Sequence, residues 1–103
     1  MLNVIQNKRI EWSISDTFEL MVTDDSNFTA GDTLKFEIAK NETSDMIISN
    51  TYELNNGEFN VILSEADRKK IELGDYIYRI IITSANGSIK TEQSGDFIAK
   101  WGV

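Results

Sequence analysis

Apolar and polar residues alternate along this chain, in short stretches that end in turn-forming residues. In "TFELMV", Phe18, Leu20 and Val22 share one face, and in "TLKFEIAK", Leu34, Phe36 and Ile38 do so while Lys35 and Glu37 point the other way. "DMIISNTY" places Met46, Ile48 and Tyr52 in phase, "GEFNVIL" places Phe59, Val61 and Leu63, and "DFIAKW" places Phe97, Ala99 and Trp101. A period of two is that of a strand with one buried face, so each stretch is a strand whose apolar side needs a second layer. The opening segment from Leu2 to Trp12 is less regular and reads as an edge strand or an arm.

Asn56-Gly57 and Asn86-Gly87 each lie between two alternating runs, and Asn-Gly takes the positive φ that tight hairpin turns require. Two hairpins are expected there. One segment, "SEADRKKIELG", departs from the strand pattern. Ser64 with Asp67 three residues on resembles a capping box, the following residues favour helix, and Gly74 falls where a C-terminal cap would sit. The segment predicts a turn or two of helix crossing between layers. The reading is therefore all-β: an antiparallel immunoglobulin-like β-sandwich of about seven strands with one short crossing helix. Its 103 residues are read as a single domain over 1–103.

"GDYIY", just after the crossing segment, fits the corner of such a sandwich. There a tyrosine opens the next strand and its hydroxyl bonds back to the corner backbone, two residues before a cysteine. Tyr76 takes the tyrosine position, with Gly74 beside it, and Tyr78 occupies the cysteine position. Aromatic packing must then fill the volume of the missing disulfide.

The chain has no cysteine, histidine or proline. Thiol chemistry, thiolate metal sites and the commonest general base are thereby removed, and a serine nucleophile has no histidine to activate it. No phosphate-binding loop occurs, and a sandwich this small leaves little room for a cleft flanked by paired carboxylates. The expectation is a protein that is not an enzyme and uses no cofactor. Asp24, Asp25 and Asp32 could gather around calcium, but their spacing does not match the Asp-x-Asp-x-Asp-Gly loop.

Net charge is −7, of which −6 lies in residues 11–34, where six acids occur without a single Lys or Arg. Such a field repels phosphate backbones, so no nucleic-acid partner is expected. Arg68-Lys69-Lys70 is the opposing patch and reads as a solvated helix face. The N-terminal stretch breaks its apolar run with Lys8 and Arg9, unlike an export signal, and runs such as Ile80–Ile82 fall far short of the roughly 20 apolar residues that span a bilayer. No membrane association is expected.

A second set of isoleucines, Ile47, Ile62, Ile77, Ile81 and Ile98, alternates out of phase with the core set. Either an outer sheet face is covered by an arm, a neighbouring subunit or a partner, or these are β-branched residues favoured singly in strands. Ile77, Ile81 and Ile98, with Asp24 and Asp25 from the acidic stretch, are the candidate interaction surface.

The order "SDTFELMV", "GDTLKFEIAK", "NGEFNVILSEADRKKIELGDYIYRI", "NGSIKTEQSGDFIAKW" resembles the N-terminal β-sandwich domain of baseplate upper proteins and related tail proteins of phages infecting Gram-positive bacteria. The similarity runs from about Ser15 to Trp101, through a Gly-Asp turn before Leu34, a Gly-x-Tyr strand and a final Asn-Gly hairpin. Family members usually continue into a long C-terminal region, whereas this sequence stops at Val103. The resemblance implies a non-catalytic structural or adaptor component of a phage or prophage virion, made in the bacterial host cytoplasm. Its partners would be other virion proteins or itself, as a homo-oligomer or hetero-assembly. The alternative is a small carbohydrate-binding or cell-surface module, for which Phe28, Tyr52 and Trp12 are the candidate exposed aromatics.

Overall fold

The computed structural model describes residues 2–5, 9–14, 16–23, 28–41, 43, 45–55 and 57–101. These form eight strands, β1 (Leu2–Ile5), β2 (Arg9–Ser13), β3 (Phe18–Thr23), β4 (Thr33–Ala39), β5 (Met46–Glu53), β6 (Glu58–Leu63), β7 (Gly74–Thr83) and β8 (Ile89–Lys100). One short helix, α1 (Glu65–Arg68), joins β6 to β7. The all-β reading holds. Six strands make one sheet in the order β1-β2-β8-β7-β4-β5, and β3 and β6 pair as a second, two-stranded sheet.

The large sheet is mixed rather than wholly antiparallel. β2 runs parallel to β8, with Ile10 opposite Phe97 and Trp12 opposite Ala99, and Ile14 N–H extends the contact to the Lys100 carbonyl at 2.8 Å. A parallel pair needs a long excursion between its strands, and here most of the chain separates them. Alternation along β2 shows which face is buried but carries nothing about the distant strand it joins.

Alternate residues supply the core as their period dictates. Leu34, Phe36 and Ile38 of β4, Tyr76, Tyr78, Ile80 and Ile82 of β7, and Phe97 and Ala99 of β8 are buried. Ile10 and Trp12 of β2 join them on the same sheet, and Phe18, Phe59, Val61 and Leu63 close the core from the two-stranded sheet. Each fully buried side chain of this size contributes roughly 1.5–3 kcal/mol of transfer free energy. Phe18 sits among three rings, 5.6 Å from Phe36, 5.8 Å from Phe97 and 6.3 Å from Trp12 between centroids. Trp101 departs from the expected phase. It follows the last residue of β8 and is 70% exposed, because the strand that would hold it against the core has ended.

The two expected hairpins fare differently. β7 and β8 pair antiparallel around the Asn86-Gly87 turn, where Ser84 N–H donates to the Ser88 carbonyl at 2.8 Å and the Asn86 side chain accepts from Ser88 N–H at 3.0 Å. At the other site Asn56 lies outside the described residues, and Asn55 and Glu58 form an isolated bridge with N···O distances of 2.9 and 3.1 Å. No hairpin follows it. β5 belongs to the six-stranded sheet and β6 to the two-stranded one, so this tight turn is where the chain changes sheets.

Ser64 caps α1, its hydroxyl accepting from Asp67 N–H at 3.2 Å. The Asp67 carboxylate reaches across to β5, where Asn50 Nδ2 donates to it at 2.9 Å. That bond, more than any other contact, holds the carboxyl below the ordinary aspartate range. The helix ends at Arg68 with Lys69 as its C-cap, so Gly74 is not a cap; it opens β7, at a φ of 143°.

Candidate functional site

The register of the large sheet brings Ile77, Ile81 and Ile98 onto its outer face. Ile77 and Ile81 lie four residues apart on β7 with Arg79 between them, about 13 Å at the rise of a strand. Ile98 pairs with Asp75 and Ile77 with Asp96, so Ile77 and Ile98 are diagonal neighbours. All three are half-buried. The five-residue stripe is not continuous, however. Ile47 packs against the core, and Ile62 stands on the outer face of the two-stranded sheet, 51% exposed. Asp24 and Asp25 lie outside the described residues.

Charged residues frame the isoleucines in two groups. Glu11 of β2 lies 2.6 Å from Lys100 Nζ and 3.2 Å from Arg9, and the bond to Lys100 holds its carboxyl below the ordinary glutamate range. Part of the acidity of residues 11–34 is thus neutralised locally. Asp32 is withdrawn from the surface altogether: it is buried, and its carboxylate accepts from Thr29 N–H at 2.9 Å and from the Thr29 hydroxyl at 3.2 Å.

The second group centres on Glu37. Although it belongs to the outward phase of β4, its side chain is only 8% exposed. Arg79 Nε stands 3.9 Å from Oε1 and Lys35 Nζ 3.9 Å from Oε2, both beyond hydrogen-bonding distance. Oε1 has no hydrogen-bond partner among the described residues. A small cleft opens beside it, lined by Ala39, Asn41, Met46 and Ile77. Alternation assigns Glu37 to the outside and cannot foresee its burial, which arises from Arg79 of β7 and Ser49 of β5 standing directly opposite it on either side.

Tyr76 opens β7 with its ring buried. Its hydroxyl donates to the Glu72 carbonyl and accepts from Glu72 N–H, each at 3.0 Å, and Lys40 Nζ lies 4.6 Å above the ring. Tyr78 is stacked on Phe36 and accepts from Gln93 Nε2 at 3.1 Å. Burial pushes the phenols of Tyr78 and Tyr52 above their ordinary range.

The aromatics named for ligand binding are otherwise engaged. Trp12 is fully buried and donates to the Asp16 carbonyl at 3.2 Å; Phe28 packs edge-on against Phe59; Tyr52 donates to the Ile62 carbonyl at 2.8 Å. The exposed aromatic is Trp101, whose phase along β8 hid it in the sequence. The basic run is paired largely within its own helix, Lys69 with Glu65 at 3.3 Å and Lys70 with Asp67 at 3.6 Å. Among the described residues no three His, Cys, Asp or Glu side chains gather as metal ligands, and no helix is long and apolar enough to cross a membrane.

No protein-family model, curated protein or solved structure matches the chain.

Proposed function

We propose that the chain is an immunoglobulin-like sandwich acting as a non-catalytic adaptor in a phage or prophage virion, docking other virion proteins on the outer face of its large sheet. The strand order supports the sandwich reading: a sheet with β8, β7 and β4 at its centre faces the β3–β6 pair, and β2 lies parallel to β8. The Tyr76 hydroxyl, tied to the Glu72 backbone at the crossing between sheets, supports it further. The virion setting rests on the resemblance of residues 15–101 to baseplate upper proteins.

Glu37 carries the docking reading. A buried acceptor without a hydrogen bond costs about 1–3 kcal/mol, more when charged, and such groups point to an unmet role. With Ile77 and Ile81 on the diagonals of the β4–β7 pair and a cleft beside it, an oxygen that has Arg79 at 3.9 Å but no hydrogen bond suits a partner that presents a donor amid apolar contacts. Virion particles purified from the host, subjected to peptide mass spectrometry, test the setting; this chain's absence from every particle fraction refutes it. Binding of the purified chain to such particles tests the surface: Ile77→Asp with Ile81→Asp abolishes binding while the fold survives, and retained binding removes this face from consideration.

A second reading, a carbohydrate- or cell-surface-binding module, draws on Trp101, since an exposed indole is a ready platform for a sugar ring. A glycan array probed with the wild type and Trp101→Ala decides it: a hit that disappears in the variant supports this reading.

A further inference from the structure

We propose that the outer face of the large sheet takes a basic side chain, an arginine or lysine on an extended and otherwise uncharged segment of a partner protein, seated between Asp75 and Asp96 with its stem on Ile77 and Ile98. The inference rests on the docking reading of that face and adds the chemistry of the partner.

The register of the β7–β8 pair makes the seat. Asp75 lies opposite Ile98 and Ile77 opposite Asp96, so two carboxylates and two isoleucines alternate as a square, with the acids on one diagonal about 7–8 Å apart. All four belong to the outward phase, since Tyr76 and Phe97 between them are buried. The isoleucines are half-buried and the aspartates exposed. A basic side chain has an apolar stem below its charge, so the stem covers the isoleucines while the head reaches both carboxylates.

Neither aspartate forms an ion pair among the described residues, and the cations around them face other groups. Lys100 lies 2.6 Å from Glu11, and Lys40 sits 4.6 Å above the Tyr76 ring. Arg79, on the diagonal to Asp96, stands 3.9 Å from Glu37. Glu92, opposite Ile81, extends the acidic row along β8. Together with the net charge of −7, this row draws a cation to the face and repels an acidic partner.

Two exposed carboxylates alone are an ordinary solvated surface, and the independent sign of a ligand comes from Glu37. It stands on β4, two strands from β8, or about 10 Å across the sheet. Its side chain is 8% exposed, and its Oε1, without a hydrogen bond, stands at the cleft that Ile77 also lines. That cleft has room for a water-sized group such as a hydroxyl. With Arg79 and Lys35 each already at 3.9 Å, the donor that completes Glu37 is uncharged. The partner segment therefore carries its basic side chain over β7 and β8 and a neutral donor over β4.

The test is a titration of the full isotope-labelled chain with the peptide acetyl-Ser-Val-Arg-Val-Ser-amide, followed by amide chemical shifts, beside a twin peptide in which citrulline replaces arginine. The arginine peptide is expected to shift the amides of Asp75, Ile77, Asp96 and Ile98, more weakly at high salt, and the uncharged twin is not. Asp75→Asn with Asp96→Asn, isosteric and at exposed positions, is expected to lose these shifts and to lose particle binding, with an unchanged circular dichroism spectrum. Shifts centred elsewhere, equal shifts with the citrulline peptide, or no shift at all overturn the proposal. Particle binding that survives Asp75→Asn with Asp96→Asn overturns it too, even where Ile77→Asp with Ile81→Asp abolishes binding. A chain that takes the arginine peptide at these residues but binds no particle supports the site and overturns the virion setting alone.

Discussion

Phe18 and Tyr76 show how unequal two buried aromatics can be. Phe18 is the ring on which both sheets converge, and Phe18→Ala leaves a cavity bordered by Trp12, Phe36 and Phe97 that rigid rings cannot collapse to fill. Chemical denaturation is expected to show a loss of about 3–5 kcal/mol. Tyr76→Phe keeps the ring, the packing and the stacked Lys40 but strands the Glu72 N–H and carbonyl; about 1–3 kcal/mol is lost. Tyr78→Phe removes the hydroxyl that accepts from Gln93 and costs about 0.5–1.5 kcal/mol. A Tyr76 effect no larger than that of Tyr78 would reduce the corner to ordinary packing. Phe18 was legible in the sequence because alternation reports which face is apolar. Glu37 was not, since its burial depends on which strands lie to either side, and Trp101 was assigned inward by a phase that outlasts its strand.

Turns and strands are legible to different depths. Ser64 and the Asn86-Gly87 turn act within a few residues, so their sequence signals translate directly into a cap and a hairpin. Asn55 and Glu58 also bond to each other across a short connection, yet the strands beyond it part into separate sheets, because a turn sets local direction and the core decides which strands pair. Gly31 gives this distinction a measurable form. At φ 93° any side chain is strained, and an added Cβ would stand 2.7 Å from the Ala85 Cβ in the β7–β8 turn. Gly57 has a similar φ of 80° with open space around it. Gly57→Ala is therefore expected to cost about 1–2 kcal/mol from backbone strain alone, and Gly31→Ala more. Ala85→Gly in the Gly31→Ala background should recover the excess but not the strain. Equal melting temperatures for the two single variants would mean that the two loops do not meet as closely as the structure places them.

At the scale of the molecule, charge opposes the fold and local pairing supports it, and pH separates the two. From pH 7 toward the isoelectric point near 4.4, the net charge of −7 fades and general self-repulsion with it. Glu11 and Asp67 have folded pKa values below the ordinary 4.5 and 3.8 of their side chains, so their contributions are held while pH stays above those values and begin to fall only as pH reaches them. Melting temperature should therefore hold or rise slightly down to about pH 5. Below their unfolded values both carboxylates take up protons more readily in the unfolded chain, so stability falls until pH has passed through the folded values. Lys100→Met removes the largest cause of the Glu11 shift, and Asn50→Ala that of the Asp67 shift; each variant should show a shallower acid decline than the wild type. At the alkaline end the sign reverses. Tyr52 and Tyr78 keep their protons in the folded state above the ordinary phenol value of 10.0, so the stability they contribute is complete below that pH and lost as pH rises through their raised values. Absorbance of the phenolate should then rise together with the loss of the fold, because ionising a buried phenol and opening the Tyr78–Phe36 stack are one event. Full ionisation of both tyrosines with the far-ultraviolet circular dichroism unchanged would show that neither ring is as enclosed as its packing implies.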